Sequence, residues 1–121
     1  MQVSIPRLLV AGLRGGGGKT LLSLGLAASF RSRGLAVAPF KKGPDYIDAA
    51  WLSKTAEKAC RNLDLFLMSA NAVVRSFVVS SAEGDVAVIE GNRGLYDGMD
   101  AQGTYSTAEL AKLLETPVIL T

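Results

Sequence analysis

The sequence has few of the residues that build disulfides, zinc sites and histidine-dependent active sites. Its 121 residues include one cysteine, Cys60, and no histidine. A single cysteine excludes an intrachain disulfide and cannot form a zinc site alone, which fits a reducing compartment. Because the usual general base near neutral pH is missing, acid–base chemistry would fall to carboxylates or lysines.

The chain also lacks a strong charge of either sign and a long hydrophobic run. A net charge of +2 is too small to favour binding to nucleic acid or to an anionic membrane. The apolar run over residues 8–11 is too short to span a bilayer and has no small-residue cleavage site. Hydrophobic residues make up 49% of the chain, which favours one packed domain over disorder. We therefore expect a cytoplasmic globular domain without nucleic-acid or membrane partners.

What the chain does have is a glycine-rich loop between an apolar run and an amphipathic segment. This is the strand–loop–helix order of a phosphate-binding P-loop. Glycines let backbone N–H groups surround phosphate oxygens, and the next helix presents its positive end to the anion. Lys19 would reach the β- and γ-phosphates, and the Thr20 hydroxyl would ligate Mg²⁺. The sequence thus predicts an ATP·Mg²⁺ site with these nucleotide-binding residues: Gly12, Arg14, Gly15, Gly16, Gly17, Gly18, Lys19 and Thr20.

The spacing of the loop departs from the standard P-loop. Counting back from Lys19, a glycine is expected where Leu13 stands, and the loop glycine is Gly12, one residue earlier. The longer loop resembles that of dethiobiotin synthetase and the corrinoid amidases. The run from Arg14 to Thr20 also resembles the deviant loop of partitioning ATPases, with Arg14 in place of their signature lysine.

The remaining pattern alternates strands and helices. It predicts helices over residues 21–33, 49–58 and 68–81, and a fourth from 106 or 107 to just before Pro117. In the segment over 68–81, valine pairs leave a strand as an alternative. Short apolar runs predict strands at 35–40, 85–91 and 118–121. We therefore predict an α/β, P-loop NTPase-like fold with a mostly parallel sheet flanked by helices, similar to dethiobiotin synthetase. Ending in an apolar strand suggests the N-terminal part of a longer chain.

Acidic residues follow two of the predicted strands. Asp45 and Asp48 lie around a Gly-Pro turn beyond the second strand, where ligands bind in open α/β sheets. A solvated charged turn would account for the same residues equally well. The strand over residues 85–91 carries Glu90 near its end, a Walker B pattern that brings a carboxylate to the Mg²⁺ edge.

With these residues in place, the chain resembles the cobyrinic acid a,c-diamide synthase family over essentially its whole length. The resemblance rests on the P-loop and three runs: FKKGPDYID at 40–48, CRNLD at 60–64 and EGNRGLYDG at 90–98. The similar nickel-sirohydrochlorin a,c-diamide synthases share these features. The resemblance implies that ATP phosphorylates the a and c acetate side chains of a corrinoid or other tetrapyrrole. Ammonia then displaces phosphate to form the amides.

The resemblance also implies which parts and partners the enzyme has. Residues 1–121 would be the N-terminal part of an ATP-binding amidoligase domain, without the C-terminal glutaminase domain that releases ammonia from glutamine, and inactive alone. The implied metal ligands are Thr20, Asp45 and Glu90, and the implied catalytic residues are Lys41, Asp48 and Asp97. The implied substrate-facing residues are Tyr46, Asp48, Tyr96 and Asp97.

Two alternatives stay open on the sequence. Arg14 and the four glycines favour a partitioning-type ATPase switch that acts through dimerisation and a partner, whereas the acid-rich turn at 44–48 and the Tyr96-Asp97 pair oppose it. Dethiobiotin synthetase shares the loop but does not account for the block at 60–64. Arg14 departs from the amidase family, and is either a local variation or an arginine that reaches phosphate within the subunit or across a homodimer.

Overall fold

The fold is a parallel sheet with helices on both faces. The structure, a computed structural model, describes residues 4–16 and 18–121. In this part of the chain the strands are β1 (Arg7–Gly12), β2 (Val37–Lys42), β3 (Arg61–Leu63), β4 (Val86–Gly94) and β5 (Val118–Leu120). The helices are α1 (Lys19–Ser32), α2 (Tyr46–Ala56), α3 (Ala70–Ser81) and α4 (Thr107–Leu113). The strand order is β3-β2-β4-β1-β5 and every pairing is parallel, which confirms the predicted fold class.

Each face of the sheet buries its own apolar cluster. One cluster, on the face that α3 and α4 cover, includes Leu9, Phe40, Phe77, Ile89 and Leu110, all fully buried. The Phe40 and Phe77 rings pack with centroids 5.0 Å apart. The other cluster joins Ala27 of α1 and Ala56 of α2 to three valines of the sheet, Val37, Val86 and Val88. Strands buried on both faces read as continuous apolar runs, which is why the sequence pattern located them.

Two elements near the carboxyl end of β2 differ from the sequence predictions, and a third resolves a choice between helix and strand that the sequence left open. Helix α2 begins at Tyr46, three residues before the predicted start, because Asp45 caps it. Residues 61–63, expected to be irregular, form the edge strand β3. The segment over 68–81, whose valine pairs left a strand open, forms helix α3 from Ala70, and the Ser69 hydroxyl caps it. Short edge strands and caps depend on tertiary or local hydrogen bonds that an apolar pattern does not report.

The carboxyl ends of the central strands meet at one edge of the sheet. There β1 ends at Gly12, β2 at Lys42 and β4 at Gly94. The polar residues predicted for the site lie in the second half of these strands, in the loops that follow them and in the first turns of the next helices, so this edge is where a ligand would bind. Among the helices of residues 4–16 and 18–121, none combines the length and apolar character that crossing a membrane requires.

Candidate nucleotide-binding site

The glycine loop connects the end of β1 to the start of α1 at the carboxyl edge. Gly16 and Gly18 have φ angles of 75° and 84°, in the left-handed region that favours glycine. Helix α1 begins at Lys19, so its first N–H groups face the loop and suit an anion. The Lys19 side chain is buried and its Nζ donates to the Arg14 carbonyl at 3.3 Å. Gly17, also predicted to bind nucleotide, lies outside the described residues.

A cluster of polar side chains lies directly beside the loop. The Thr20 hydroxyl is 3.2 Å from Glu90 Oε2 and 3.3 Å from Asp48 Oδ2. Lys41 Nζ is 2.8 Å from Glu90 Oε2 and 3.7 Å from Asp48 Oδ2. Because β2 and β4 are neighbours with Lys41 opposite Glu90 in register, the sheet itself brings this pair together. Four residues predicted from three separate segments therefore meet within a few ångströms.

Glu90 is a buried acid whose pKa is raised overall. Its residue is fully buried, and burial raises the pKa of Glu90 while the hydrogen bond and charge of Lys41 lower it. The neighbouring Asp48 carboxylate also raises the Glu90 pKa by like-charge repulsion. Lys41 is itself 2% exposed and donates a second bond to the Gly91 carbonyl at 2.8 Å. The pair thus holds a carboxylate at the sheet edge with little access to water.

Asp45, predicted as a metal ligand, caps helix α2. Its Oδ1 accepts the backbone N–H groups of Ile47 at 2.9 Å and Asp48 at 3.1 Å. Those bonds, the one from Asp48 first, lower the pKa of Asp45. The carboxylate that contacts Thr20 is instead Asp48, one turn further along the helix. The structure therefore brings Asp48 and Glu90 to Thr20 and leaves Asp45 at the head of α2, where a direct metal contact stays a prediction.

The residues around Thr20 fit a Mg²⁺ ion that is held mainly through phosphate. Mg²⁺ usually keeps several waters and takes one or two carboxylates together with substrate phosphates. Glu90 Oε1 is buried and has no hydrogen-bond partner among residues 4–16 and 18–121, which suits an oxygen that serves a cation or its water. Within the same ranges, no group of three or more His, Cys, Asp or Glu side chains could hold a metal. An ATP-linked Mg²⁺ does not need such a protein cage.

Two cavities adjoin this cluster. The first, of about 400 Å³, is lined by the glycine loop with Thr20, Lys41, Asp48 and Glu90. The second, of about 370 Å³, is lined by polar and aromatic side chains that include Lys42, Asp64, Phe66, Asp97 and Tyr105. Asn92 and Arg93 line both cavities.

The residues predicted to face a substrate are not all in one place. Asp97 lines the second cavity, and its Oδ2 also accepts the Gly94 N–H at 3.0 Å, so it closes the turn after β4. Tyr46 and Tyr96 are 75% and 73% exposed, and neither lines the two cavities described above. The structure therefore brings Asp48 and Asp97 to the cavity walls and leaves both tyrosines on the surface.

Sequence reasoning assigned no role to several residues that shape this edge. Asn62 on β3 donates from Nδ2 to the carbonyls of Gly43 at 2.8 Å and Asp45 at 2.9 Å, which fixes the loop before α2. Lys42 and Arg93 place two cations on the second cavity. The run at 60–64 contributes to the family resemblance, but no spacing rule predicts the contacts of Asn62. Cys60 is no candidate nucleophile, because burial raises its pKa to about 12.

A glycine loop between a buried strand and a helix, with a threonine and a buried acid at the same sheet edge, defines a P-loop-type nucleotide-binding α/β domain. The fold agrees with that of chloroplast FtsY from Physcomitrella patens, with a TM-score of 0.58 at 21% identity over 99% of this chain and 41% of that one. The chain belongs to the CobQ/CobB/MinD/ParA nucleotide binding domain family, whose family model matches residues 8–116.

Named relatives are biosynthetic enzymes. The chain is 52% identical over 120 residues to the cobyrinate a,c-diamide synthase of Magnetococcus marinus. The aligned region covers 99% of this chain and 26% of the relative. It is 44% identical over 118 residues to the hydrogenobyrinate a,c-diamide synthase of Streptomyces coelicolor, covering 97% of this chain and 24% of that protein. The chain thus spans about a quarter of the length of these relatives.

Proposed function

We propose that this chain forms the ATP-binding part of an enzyme that amidates the a and c acetate side chains of a corrinoid. The observation that carries the proposal is the common wall of the two cavities. A nucleotide bound at the glycine loop and a carboxylate substrate in the second cavity would meet at Asn92 and Arg93. The names of the relatives support the choice of a cobyrinate-like acceptor.

The chemistry follows from the poor reactivity of a carboxylate toward ammonia. An oxygen of the substrate carboxylate attacks the γ-phosphorus of ATP, and the bond between that phosphorus and the bridging oxygen breaks, with its electron pair leaving on ADP. Ammonia then attacks the acyl carbon of the acyl phosphate. The carbon–oxygen bond to phosphate breaks, phosphate takes the electron pair and one ammonia proton, and the amide remains. Such phosphoryl transfer needs positioning and charge neutralisation more than covalent help.

In this reaction the residues beside the glycine loop bind and neutralise. Lys19 and the loop N–H groups would hold the β- and γ-phosphates, and Lys41 would balance charge near the transferring group. Thr20 and Glu90, with Asp48 adjoining them, would hold Mg²⁺, which when bound offsets the negative charge of the phosphates. Asp45 would act from the head of α2, either on the metal or by fixing Asp48.

The acceptor side is assigned to the second cavity and its rim. Asp97 would orient the substrate or the incoming ammonia, while Tyr46 and Tyr96 would pack against the macrocycle from the surface. Ammonia would come from glutamine through a glutaminase domain in the remainder of a protein of the relatives' length. The enzyme would work in the cytoplasm, and Arg14, which is exposed on the loop, would serve a homodimer contact or the phosphate of its own subunit.

Calorimetry on this chain tests the nucleotide site. Lys19→Ala should abolish measurable ATP·Mg²⁺ binding because the loop loses the cation that faces the phosphates. Lys54→Ala is the matched control, since Lys54 is an exposed lysine in the last turn of α2, and it should bind as the unmodified chain does. Unchanged binding in Lys19→Ala would contradict the nucleotide site.

Turnover then separates the amidase from the partitioning-type switch. In a protein of the relatives' full length that contains this chain, cobyrinate with glutamine should stimulate ATP hydrolysis and yield amidated corrinoid. Stimulation by DNA or a partner protein, with no response to cobyrinate, would favour the switch and overturn the amidase proposal. Mass spectrometry of the corrinoid gives the direct readout of amide formation.

A further inference from the structure

The segment of β4 that separates the two cavities is an irregularity in the sheet. Val10 of β1 pairs with Glu90 of β4, and Gly12 pairs with Gly94. Between these two pairs β1 advances by two residues and β4 advances by four. A bulge of this kind re-aims side chains and is common beside active sites. Here it turns Asn92 and Arg93 out of the ladder and onto the walls of both cavities.

Arg93 holds a strained backbone conformation within this bulge. Its φ is 54°, a left-handed value that costs a non-glycine residue free energy unless the surroundings enforce it. The surroundings do enforce it on both sides. The N–H of Asn92 donates to Thr107 Oγ1 at 3.2 Å, and that hydroxyl donates to the Asn92 carbonyl at 3.1 Å. On the other side, the Leu95 N–H donates to the Gly12 carbonyl.

The guanidinium of Arg93 is exposed and has no hydrogen-bond or ion-pair partner among residues 4–16 and 18–121. Burial lowers the pKa of Lys42 on the wall of the second cavity, the charge of Asp64 opposes that change, and the charge of Arg93 adds to the lowering. The Asp64 carboxylate offsets this repulsion at Lys42, but it forms no ion pair with Arg93 among the described residues, so a bound anion would still find an unpaired cation at Arg93. The two carboxylates on the same wall already accept backbone N–H bonds, Asp64 from Phe66 and Asp97 from Gly94.

We infer that Arg93 is a substrate-binding residue that holds the reacting carboxylate of the acceptor at the boundary between the two cavities. Its planar guanidinium can grip both carboxylate oxygens, and the boundary position lies next to the nucleotide cavity. The bulge fixes the backbone beneath it, so the point from which the side chain extends is set before substrate arrives. This inference rests on the proposed function and assigns its acceptor-binding step to a residue outside the phosphate loop.

The test measures corrinoid and nucleotide binding separately, in a protein of the relatives' full length that contains this chain. Calorimetry with cobyrinate is run in the presence of a non-hydrolysable ATP analogue, after titration of the analogue alone. Arg93→Asn removes the cation and keeps a residue that tolerates a left-handed backbone. Arg75→Asn removes the same charge from an exposed position on α3, away from both cavities, and is the matched control.

Loss of a charge-assisted, two-point contact should weaken cobyrinate binding by roughly tenfold to a hundredfold in Arg93→Asn, with ATP-analogue affinity within about threefold of wild type. Arg93→Lys should recover part of the loss, and added guanidinium should partly restore KM for the corrinoid in Arg93→Gly. The Arg75 variant should match wild type in both titrations. These rescues would not follow if Arg93 were only structural.

Unchanged cobyrinate affinity in Arg93→Asn would overturn the inference while leaving the proposed function intact. An equal loss of nucleotide affinity would also overturn it, because the residue would then serve ATP or the fold. Failure of the wild-type protein to bind cobyrinate, with normal ATP binding, would instead overturn the proposed substrate class and the inference with it.

Discussion

Removing Lys41 should expose how much the site depends on one buried cation. Lys41 is 2% exposed and its partner Glu90 is fully buried, so bulk water solvates neither charge. In Lys41→Met, Glu90 Oε2 keeps only the Thr20 hydroxyl, and Oε1 already lacks a partner among the described residues. Breaking a buried ion pair by deleting one member costs about 3–5 kcal/mol. We expect a loss of that size in the free energy of unfolding at pH 7.

The loss should depend on pH in a defined direction. Burial already raises the Glu90 pKa against the influence of Lys41, so deleting Lys41 raises it further. A carboxyl whose folded-state pKa exceeds its unfolded value binds its proton more tightly in the native state. The variant therefore loses stability as pH rises above the unfolded value of about 4.3, by at most about 1.4 kcal/mol per pH unit, until the folded-state pKa is passed. The deficit relative to wild type should be smallest near pH 4 and largest at neutral pH.

Urea unfolding followed by circular dichroism between pH 4 and pH 7.5 measures this deficit. Lys112→Met is the control, because Lys112 forms an exposed i,i+3 pair with Glu109 at 3.4 Å and should lose about 0.5 kcal/mol or less. Adding Glu90→Gln to Lys41→Met should recover much of the loss by removing the buried charge. A Lys41→Met deficit no larger than that of Lys112→Met, or one that does not change with pH, would refute the reasoning.

Two further predictions concern the backbone that supports the site. Asp45→Ala should lower the free energy of unfolding by about 1 kcal/mol through loss of the α2 cap. Asp45→Asn should retain most of the stability that the cap supplies, because an amide oxygen still accepts the N–H bonds. Equal losses in urea titrations would contradict the capping role. Gly91→Ala should be strongly destabilising, since its Cβ would lie 2.7 Å from Thr107 Cγ2 and 2.9 Å from the Val10 carbonyl. Gly25 in α1 has open space around it, so Gly25→Ala should raise the free energy of unfolding by about 0.5–1 kcal/mol. Thermal unfolding of the two glycine-to-alanine variants checks both signs, and similar melting temperatures for these two would rule out the packing argument.

Much of this site was predictable from the sequence because its signals are local. The glycine loop needs a strand before it and a helix after it, and both flanks have their own apolar periods. An apolar run that ends in an acid is also a local pattern. The run over residues 85–91 is therefore enough to predict Glu90 at the sheet edge. The residues predicted at the metal side include Thr20 and Glu90, whose oxygen atoms are 3.2 Å apart.

Which of two nearby acids faces the threonine was not a local question. Asp45 and Asp48 are three residues apart in one turn, and either could have reached the metal edge. Their roles separated because α2 begins at Tyr46, which commits the Asp45 carboxylate to the first N–H groups of the helix. The pitch of the helix then brings Asp48 to the Thr20 hydroxyl at 3.3 Å.

The sequence by itself determined the phosphate loop, the α/β alternation and the acid at the end of β4. Only the tertiary structure decided which side chains of the site contact one another, because strand order and register are set by packing between segments far apart in the chain. Lys41 meets Glu90 because β2 lies beside β4 with these residues opposite each other. Arg93 reaches both cavities because β4 bulges against β1, a mismatch in length between two strands that neither strand carries in its own pattern.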